Sequence, residues 1–485
     1  MSTSLRLGLI PANRGFFSDE LAKQVRDGTI KALEAAGITV VVPSETQTKL
    51  GCVETRQEAE LCGKLFRGED VAGIVVAAAN FGDEQGVGIT VREARLDVPI
   101  LIFGGQEIEV LTHRTPRRDS FCGLISIAEA LRQIDVRYTV ARRPICFPED
   151  ESFTGEGQRF AAVCRVVQGI KTARYGLVGT RPDAFWTCRT DEVALQQFGP
   201  TTVTLDLSEA LAAMQGMSSD DADVKAAVAE MNRDFDVSAV SAEAVVKLAK
   251  LEVFLRRFAE ESGLDAVAVQ CWSSLQQNWG TCACTPLARL TNSGLLAACE
   301  ADVLGAASMH ALTLATGQPS GLADWNNLHN EDDELVNIWH CSAFAPCFAG
   351  ERPRVSVNPI LGETYGFDRV AGTLAYRMKE QPLTLFRLSH DPQEGYAAAI
   401  CHGQVEANRA ETFGAYGWTR IKGLLPFYRD VILRHFPHHI GFAAGLIGDA
   451  LWEAFGNYLG TKVFAPGERP TGEWLPEPPQ AIRRD

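Results

Sequence analysis

Short runs rich in β-branched residues alternate with longer helical segments through the first third of the chain, and this alternation limits the folds open to it. Strands are predicted at 6–10, 38–42, 71–78 and 98–103, with helices between them at 19–35 and 55–67. Strands that alternate with helices at this spacing pair in parallel, because each crossover returns the chain to the same end of the sheet. The pattern therefore predicts a doubly wound α/β domain of the Rossmann or flavodoxin type.

The rest of the chain predicts two further domains, because 485 residues are too many for one hydrophobic core. A second α/β unit is predicted to begin with the strand 174–179, and the stretch 207–261 has helical periodicity. From about residue 318, short strands with glycine, proline and aromatic residues predict a β-rich domain, antiparallel or barrel-like. We predict domains at residues 1–172, 173–317 and 318–485.

The charge balance and the cysteines limit the partners and the compartment. Lys and Arg number 46 against 61 Asp and Glu, and the resulting charge of −15 repels nucleic-acid phosphates and anionic membranes. The first residues have no basic segment leading into an apolar one, and no apolar run reaches the ~18 residues of a membrane span. Thirteen scattered cysteines predict reduced thiols. These features predict a cytoplasmic protein with no nucleic-acid or membrane partner.

Several common catalytic motifs are absent from the sequence. It has no GxxxxGK[ST] phosphate loop, no HExxH and no paired CxxC, so P-loop hydrolysis, zincin chemistry and a zinc ribbon have no support. The sequence Cys282-Ala283-Cys284 would suit a soft metal or a redox pair, but no partner cluster is near it. We favour ordinary packing for these two thiols.

Two acidic residues between residues 270 and 324 are the first candidates for chemistry. Glu300 follows a short apolar run, and Asp324 follows a helical segment that Gly317 ends. If this is a β-α-β crossover, both carboxylates lie at the carboxyl ends of neighbouring parallel strands, where open α/β sheets bind ligands. Two carboxylates held that close need a cation or a shared proton. We expect a divalent metal ion.

The next ligand of such an ion should be an imidazole or another carboxylate. The adjacent histidines His438 and His439, just before a Gly- and Ala-rich segment, are the richest candidates. Each histidine also has a simpler interpretation, as a half-buried loop residue bonded to the backbone. The residues alone leave both interpretations open.

Two longer motifs match a known family. The first is the string CEADVLGAASMHALTLATGQPSGLAD, in which Glu300 and Asp324 are separated by 24 positions. It resembles the metal-binding segment of L-fucose isomerases and related L-arabinose isomerase-like enzymes. The string HHIGFAAGLIGDAL resembles the segment that carries their metal-binding histidine, with Gly445, Ile447 and Gly448 at the family's positions. This chain is clearly shorter than the long fucose isomerases, and the loss falls between Asp324 and His439.

The resemblance implies a metal-dependent aldose–ketose isomerase that works through a cis-enediolate. Its metal ligands would be Glu300 of the second domain and Asp324 and His439 of the third. The ion would be Mn²⁺, with Mg²⁺ or Co²⁺ as possible substitutes, because two carboxylates and one imidazole suit hard cations. Glu300 and Asp324 would also be the catalytic residues that move a proton between the two reacting carbons.

The resemblance also suggests substrate-binding residues, each with an alternative. Gln270 follows a strand where the family has a sugar-binding glutamine, but it could be a helix cap. Trp418 could form an aromatic wall for the sugar or fill the domain edge. Arg14 resembles an arginine that reaches an active site, or it is a solvated loop charge. His438 replaces an asparagine of the long enzymes.

Substrate and assembly follow from the same resemblance. Fucose- or arabinose-like sugars and C6-modified hexoses such as sulfoquinovose are all open; Arg14, Arg118, Arg420, Lys422 or His438 could bind an anionic C6 group. The family's assembly predicts a homohexamer with sites at subunit interfaces. A non-catalytic sugar-binding or sensor protein and a metal-independent epimerase or lyase are the competing functions.

Overall fold

A computed structural model of the protein describes residues 5–341, 343–407 and 411–466. Its contacts group these residues into two units. One unit contains residues 5–168 and Gly456–Leu459, and the other contains Gly169–Phe455 and residues 460–466. No helix in the described ranges combines the length and the apolar character that crossing a membrane requires. The division into three domains, with boundaries after residues 172 and 317, stays a prediction.

A five-stranded parallel sheet with helices forms the first unit. Its strands are β1 (Arg6–Ala12), β2 (Thr39–Val41), β3 (Gly73–Ala78), β4 (Ile100–Gly105) and β5 (Thr139–Cys146), in the order β2-β1-β3-β4-β5. Its helices are α1 (Asp19–Ala35), α2 (Arg56–Gly68), α3 (Glu84–Ala94), α4 (Ser120–Gln133) and α5 (Glu151–Thr172), of which α5 continues past Gln168. The order is that of the flavodoxin type. The predicted doubly wound α/β fold is confirmed.

The helices of this unit begin where the sequence supplies capping side chains. Ser18 precedes α1, and its hydroxyl accepts a hydrogen bond from the backbone N–H of Leu21. Thr55 and Glu58 form a capping box at the start of α2, in which each side chain bonds the other residue's backbone N–H. These caps satisfy amides that the first turn leaves free. The predicted bounds of both helices therefore agree closely with the structure.

A four-stranded parallel sheet opens the second unit. It contains β6 (Arg174–Val178), β7 (Thr201–Leu205), β8 (Ala266–Val269) and β9 (Leu296–Ala298), in the order β7-β6-β8-β9. Its helices are α6 (Glu192–Phe198), α7 (Leu207–Gly216), α8 (Ala222–Asp234), α9 (Ala242–Ser262), α10 (Cys284–Asn292) and α11 (Val303–Thr316). The helical stretch predicted for 207–261 corresponds to α7, α8 and α9.

A nine-stranded, mostly antiparallel sheet follows in the same unit. Its strands are β10 (Ser320–Leu328), β11 (Leu335–His340), β12 (Arg354–Val357), β13 (Ala371–Arg377), β14 (Pro382–Asp391), β15 (Gly395–Val405), β16 (Ala415–Arg420), β17 (His439–Ala444) and β18 (Lys462–Phe464). The order is β12-β13-β16-β11-β10-β17-β14-β15-β18, and β15 also pairs with β16. That extra pairing closes six strands, β16-β11-β10-β17-β14-β15, into a ring. The predicted β-rich, barrel-like region is confirmed.

Two local predictions for this region are wrong. The helix α12 (Pro359–Tyr365) occupies part of a stretch predicted as strands, because Asn358 caps its first turn and proline suits the first helical position. The remaining helices are α13 (Leu424–Leu433) and α14 (Gly448–Glu453). The prediction of a β-α-β crossover between Glu300 and Asp324 is also wrong. The strand β9 belongs to the parallel sheet, whereas β10 pairs antiparallel with β11 and β17. A strand pattern does not specify which strands pair with it.

Candidate metal centre

The three predicted metal ligands lie together in the second unit, although they come from two sheets. Glu300 follows β9, Asp324 lies within β10, and His439 is the first residue of β17. Asp324 and His439 are directly opposite each other in the antiparallel pair β10–β17. His439 Nε2 lies 3.4 Å from Glu300 Oε2 and 3.6 Å from Asp324 Oδ1. The imidazole nitrogen thus stands next to both carboxylates.

The backbone at Glu300 is strained. Glu300 and Ala301 have φ values of 62° and 56°, so two consecutive residues with side chains adopt the left-handed conformation. Each such residue costs roughly 1–2 kcal/mol. The Ala301 N–H donates to the carbonyl of Val269 at the end of β8 and helps to hold this turn. Strain of this kind is common at functional sites, where the surrounding structure maintains it.

Two polar atoms that face this centre are buried without a hydrogen bond. His439 Nε2 and Asp324 Oδ1 have no hydrogen-bond partner in the part of the chain that the structure describes. His439 is fully buried, and Glu300 is 5 % exposed. A buried polar atom without a partner costs free energy, and a cation would satisfy both atoms at once. The donor set of two carboxylate oxygens and one imidazole nitrogen fits a divalent metal ion.

Asp302 and Arg387 hold the imidazole of His439 in place. His439 Nδ1–H donates to Asp302 Oδ2 at 2.7 Å, which leaves Nε2 free to act as a metal ligand. Arg387 donates to both carboxylate oxygens of Asp302, at 2.7 and 3.0 Å, and the Gly305 N–H donates to Oδ1. A Cβ at Gly305 would lie 2.6 Å from Asp302 Oδ2, so this close approach requires glycine. The arrangement is that of a carboxylate that orients a metal-binding histidine.

The electrostatics of the pocket favour a cation. Burial alone would raise the pKa of Glu300, but the neighbouring imidazoles of His438 and His439 outweigh it and lower that pKa. Burial likewise opposes ionisation of Asp302, and the charge of Arg387 and the hydrogen bond from His439 lower its pKa. Burial also disfavours the imidazolium form of His439, yet the hydrogen bond to Asp302 and the nearby Cys188 and Glu300 side chains raise its pKa. The buried carboxylates therefore remain charged and favour positive charge beside them, either on the His439 imidazole or on a cation that takes its place.

His438 lies at the same centre, as the fourth polar side chain. Its Nε2 lies 3.6 Å from Glu300 Oε2 and 3.7 Å from Asp324 Oδ1, and its Nδ1 is 3.0 Å from Thr187 Oγ1. Its side chain is 39 % exposed, whereas that of His439 is fully buried. His438 is therefore the more accessible of the two histidines.

Gln270 and Trp418 have other partners in the structure. The side chain of Gln270 accepts a hydrogen bond from the Thr180 N–H and donates to the Trp272 carbonyl. It follows β8 directly, as predicted. Trp418 lies in β16 and packs edge-on against His329, with ring centroids 5.3 Å apart. Their roles as substrate-binding residues stay predictions.

The predicted cations outside the centre form ion pairs or backbone contacts. In the first unit, Arg14 pairs with Glu84, donates to the Gly82 carbonyl and stacks over Phe81. Arg118 is buried there and donates to the Gln106 carbonyl. In the second unit, Arg420 bonds both Glu406 and Asp332. The role of Arg14 at a neighbouring subunit's site stays a prediction.

The sequence did not reveal several residues of the centre. Asp302 stands before α11 as an ordinary helix cap would, and Arg387 is the single charge in the apolar run LTLFRL. That isolated charge was the one available signal. Two further residues near the centre gave no signal in the sequence. Cys188 Sγ lies 4.0 Å from Glu300 Oε2, and the ring of His340 lies 5.5 Å from that of His439.

Cys282 and Cys284 are buried in a small apolar cluster, as the packing interpretation predicts.

Comparison with known proteins gives two family matches. The N-terminal domain of fucose/sulfoquinovose isomerases matches residues 8–171, and the C-terminal domain of L-fucose isomerases matches residues 338–465. His439 lies inside the second matched segment. Glu300 and Asp324 lie between the two segments.

Curated relatives extend the match over most of the chain. A sulfoquinovose isomerase of Alkalicoccus urumqiensis is 30% identical over 68% of this chain and 72% of its own length. Another, of Priestia aryabhattai, is 26% identical over 81% of this chain and 84% of its own length. A solved periplasmic solute-binding protein from Actinobacillus succinogenes with bound D-allose covers 65% of this chain and 93% of its own at 10% identity, but its TM-score of 0.16 supports no conclusion.

Proposed function

This chain belongs to the L-fucose isomerase-like family and is an aldose–ketose sugar isomerase, and we propose that it acts with a divalent metal on a hexose with an anionic group at C6. One observation supports the chemistry above all others. Glu300 and Asp324 flank the Nε2 atom of His439, and two of these three residues have a buried polar atom without a partner. A sugar-binding or sensor protein has no use for such an arrangement.

We assign Glu300, Asp324 and His439 as the ligands of a Mn²⁺ ion. Two carboxylates and one imidazole form a hard donor set, which also admits Mg²⁺ or Co²⁺. When bound, the ion supplies positive charge that polarises the sugar carbonyl and acidifies the neighbouring C–H. Asp302 keeps the proton of His439 on Nδ1, so that Nε2 remains a donor toward the ion.

Proton transfer between C1 and C2 falls to Glu300 and Asp324. Both carboxylates lie near His439 Nε2. One carboxylate removes the proton from C2 of the open-chain aldose, the hydroxyl proton of O2 is transferred to O1, and a proton returned to C1 completes the ketose through a cis-enediol. No redox cofactor is required, because the oxidation of C2 and the reduction of C1 balance within one molecule.

His438 is the residue that we expect to contact the sugar directly. It lies next to both carboxylates but is partly exposed, and the Thr187 hydroxyl fixes its Nδ1. A partly exposed imidazole can bond a hydroxyl or an anionic group of the substrate. We retain Gln270 and Trp418 as further substrate-binding candidates on the strength of the family resemblance.

The relatives support sulfoquinovose as the substrate. The curated proteins in the comparison that match well are named sulfoquinovose isomerases, and the first family match includes that activity. L-fucose is the second candidate, because the C-terminal match is to L-fucose isomerases. The two sugars differ at C6, where one carries a sulfonate and the other a methyl group.

We further propose that the enzyme is a cytoplasmic homohexamer with each site completed by a neighbouring subunit. The thirteen cysteines are free thiols, which suits a reducing compartment. The family resemblance supports the hexamer and the placement of Arg14 at a neighbour's site.

A substrate panel tests this function. Metal-loaded protein should convert sulfoquinovose to its ketose with a kcat/KM at least about 100-fold above those for L-fucose and L-arabinose. Preference for L-fucose would replace the proposed substrate and keep the reaction. Sugar binding without conversion would favour the sensor, and epimer formation without ketose would favour the epimerase.

A further inference from the structure

We propose that Cys188, Glu300 and His439 form a binding site for a soft divalent ion such as Zn²⁺ or Cd²⁺. This site shares Glu300 and His439 with the proposed Mn²⁺ site, and it has the Cys188 thiolate as a ligand in place of Asp324. The inference concerns metal binding alone and does not depend on the isomerase activity. Its consequence is that soft ions compete with Mn²⁺ for the same pocket.

The three donor atoms have suitable spacing for a small tetrahedral ion. Cys188 Sγ lies 4.0 Å from Glu300 Oε2, and His439 Nε2 lies 3.4 Å from the same oxygen. All three donors lie within 4.8 Å of one another. Oxygen and nitrogen ligands of tetrahedral zinc stand about 3.4 Å apart, and a sulfur and an oxygen stand about 3.6 Å apart. The nitrogen–oxygen pair therefore already has the zinc spacing, and the sulfur–oxygen pair is about 0.4 Å longer than it.

An unpartnered atom independently points to a ligand at this position. His439 Nε2 is fully buried, has no hydrogen-bond partner in the described residues, and lies in this pocket. The bond from Nδ1 to Asp302 fixes the tautomer that leaves Nε2 available. The binding step is balanced: the Cys188 thiol loses its proton to solvent as its sulfur bonds the ion.

Cys188 reaches the pocket on a short turn, Trp186–Cys188, that follows β6. The same turn carries Thr187, whose hydroxyl bonds His438 Nδ1. The turn therefore places a soft donor and a support for His438 at the same centre. Thiolate donors select zinc and cadmium over manganese, and zinc already binds nitrogen and oxygen sites more tightly than manganese does.

Cys271 and Cys299 are the alternative soft donors near Glu300. They lie within 4.8 Å of its carboxylate but are hydrogen-bonded to each other, and that set contains no imidazole. The set with Cys188 has an unpartnered nitrogen as well as a thiol. We therefore assign the soft-metal site to Cys188.

Cadmium titration of metal-free protein tests this assignment. A background with Cys122→Ser and Cys347→Ser removes the two exposed thiols. We expect a sulfur-to-cadmium charge-transfer absorbance that saturates at one ion per chain. Cys188→Ser should abolish this absorbance and weaken Cd²⁺ binding by about 100-fold, while Mn²⁺ affinity changes by less than about threefold. Cys401→Ser, which removes another buried thiol, should leave the absorbance unchanged.

Two results would overturn the proposal: no saturable absorbance in the parent protein, or an absorbance that persists in Cys188→Ser. If Cys188→Ser does not fold, the ¹¹³Cd NMR spectrum of the protein with all its cysteines provides the test. Its resonance should have the chemical shift of cadmium bound by one thiolate with nitrogen and oxygen ligands. A shift typical of two thiolates would assign the ion to Cys271 and Cys299 instead. Neither readout uses turnover, so failure here is distinct from failure of the isomerase function.

Discussion

Asp324 and His439 are directly opposite residues on the antiparallel strands β10 and β17. Side chains of such a pair lie on the same face of the sheet with Cβ atoms about 5 Å apart. The barrel's hydrogen-bond register thus sets the spacing of these two candidate ligands, and the strained turn after β9 brings Glu300 to them. A slip of one residue in this pairing would move His439 to the other face.

Removal of any one ligand should release the metal. We expect Glu300→Gln, Asp324→Asn and His439→Ala to lose bound Mn²⁺ and at least about 100-fold in kcat/KM, because each removes a side-chain atom that would bond the ion. Elemental analysis and circular dichroism should show loss of metal with the fold retained. Glu331→Gln and His113→Ala, which change exposed residues of the same types, are the controls. A ligand variant with full metal occupancy and a normal rate would remove that residue from the centre.

Asp302 should control metal affinity without binding the ion. Asp302→Asn removes the charged acceptor of His439 Nδ1 and leaves Arg387 buried without its counter-ion. We expect Mn²⁺ affinity to fall by about 10- to 100-fold. We also expect the free energy of unfolding to fall by about 3–5 kcal/mol.

A double variant separates these two effects. In Asp302→Asn with Arg387→Gln, no unpaired charge is buried, so much of the lost stability should return while Mn²⁺ affinity stays low. Calorimetric titration and thermal unfolding measure the two quantities. Recovery of Mn²⁺ affinity together with stability would contradict a direct role of Asp302 in orienting His439.

Chelation should abolish activity. Prolonged treatment with a chelator should remove the ion, and Mn²⁺ should restore turnover better than Zn²⁺ does, because the proposed catalytic ligands are mostly hard oxygen donors. The measurement is the rate of sulfoquinovose conversion before chelation and after each metal is added back. Full activity after verified metal removal would end the metal-assisted mechanism.

Mixed assemblies should show whether Arg14 acts on a neighbouring subunit. Arg14→Ala and Glu300→Gln proteins should each be inactive, and after dissociation and reassembly together they should recover part of the activity. Sites with an intact arginine from one subunit and an intact glutamate from another can form only in mixed oligomers. Light scattering must show the assembly. An active monomer, or no recovery despite proven subunit exchange, would contradict this arrangement.

The sequence predicted local structure better than strand pairing. The parallel sheet of the first unit was predictable because its strands alternate with helices along the chain, and Ser18 and Thr55 mark helix starts. β10 pairs with β17, a strand far along the chain, and periodicity contains no information on such a pairing.

The same limit applies to the centre. Glu300, Asp324 and His439 were selected from residue type and family motifs, and the structure brings them together through a different topology from the predicted crossover. The bond between Arg387 and Asp302 joins β14 to the start of α11, so it depends on tertiary packing that no local pattern encodes. Cys188 had no local signal at all.

Solvent isotope incorporation tests the central claim most directly. Metal-loaded protein incubated with sulfoquinovose in D₂O should yield ketose that carries deuterium at C1, because Glu300 or Asp324 exchanges the transferred proton with solvent. The Glu300→Gln protein, carried through the same metal loading, should yield none. Ketose without deuterium even after prolonged equilibration, or no ketose from protein with verified Mn²⁺, would contradict proton transfer at this centre.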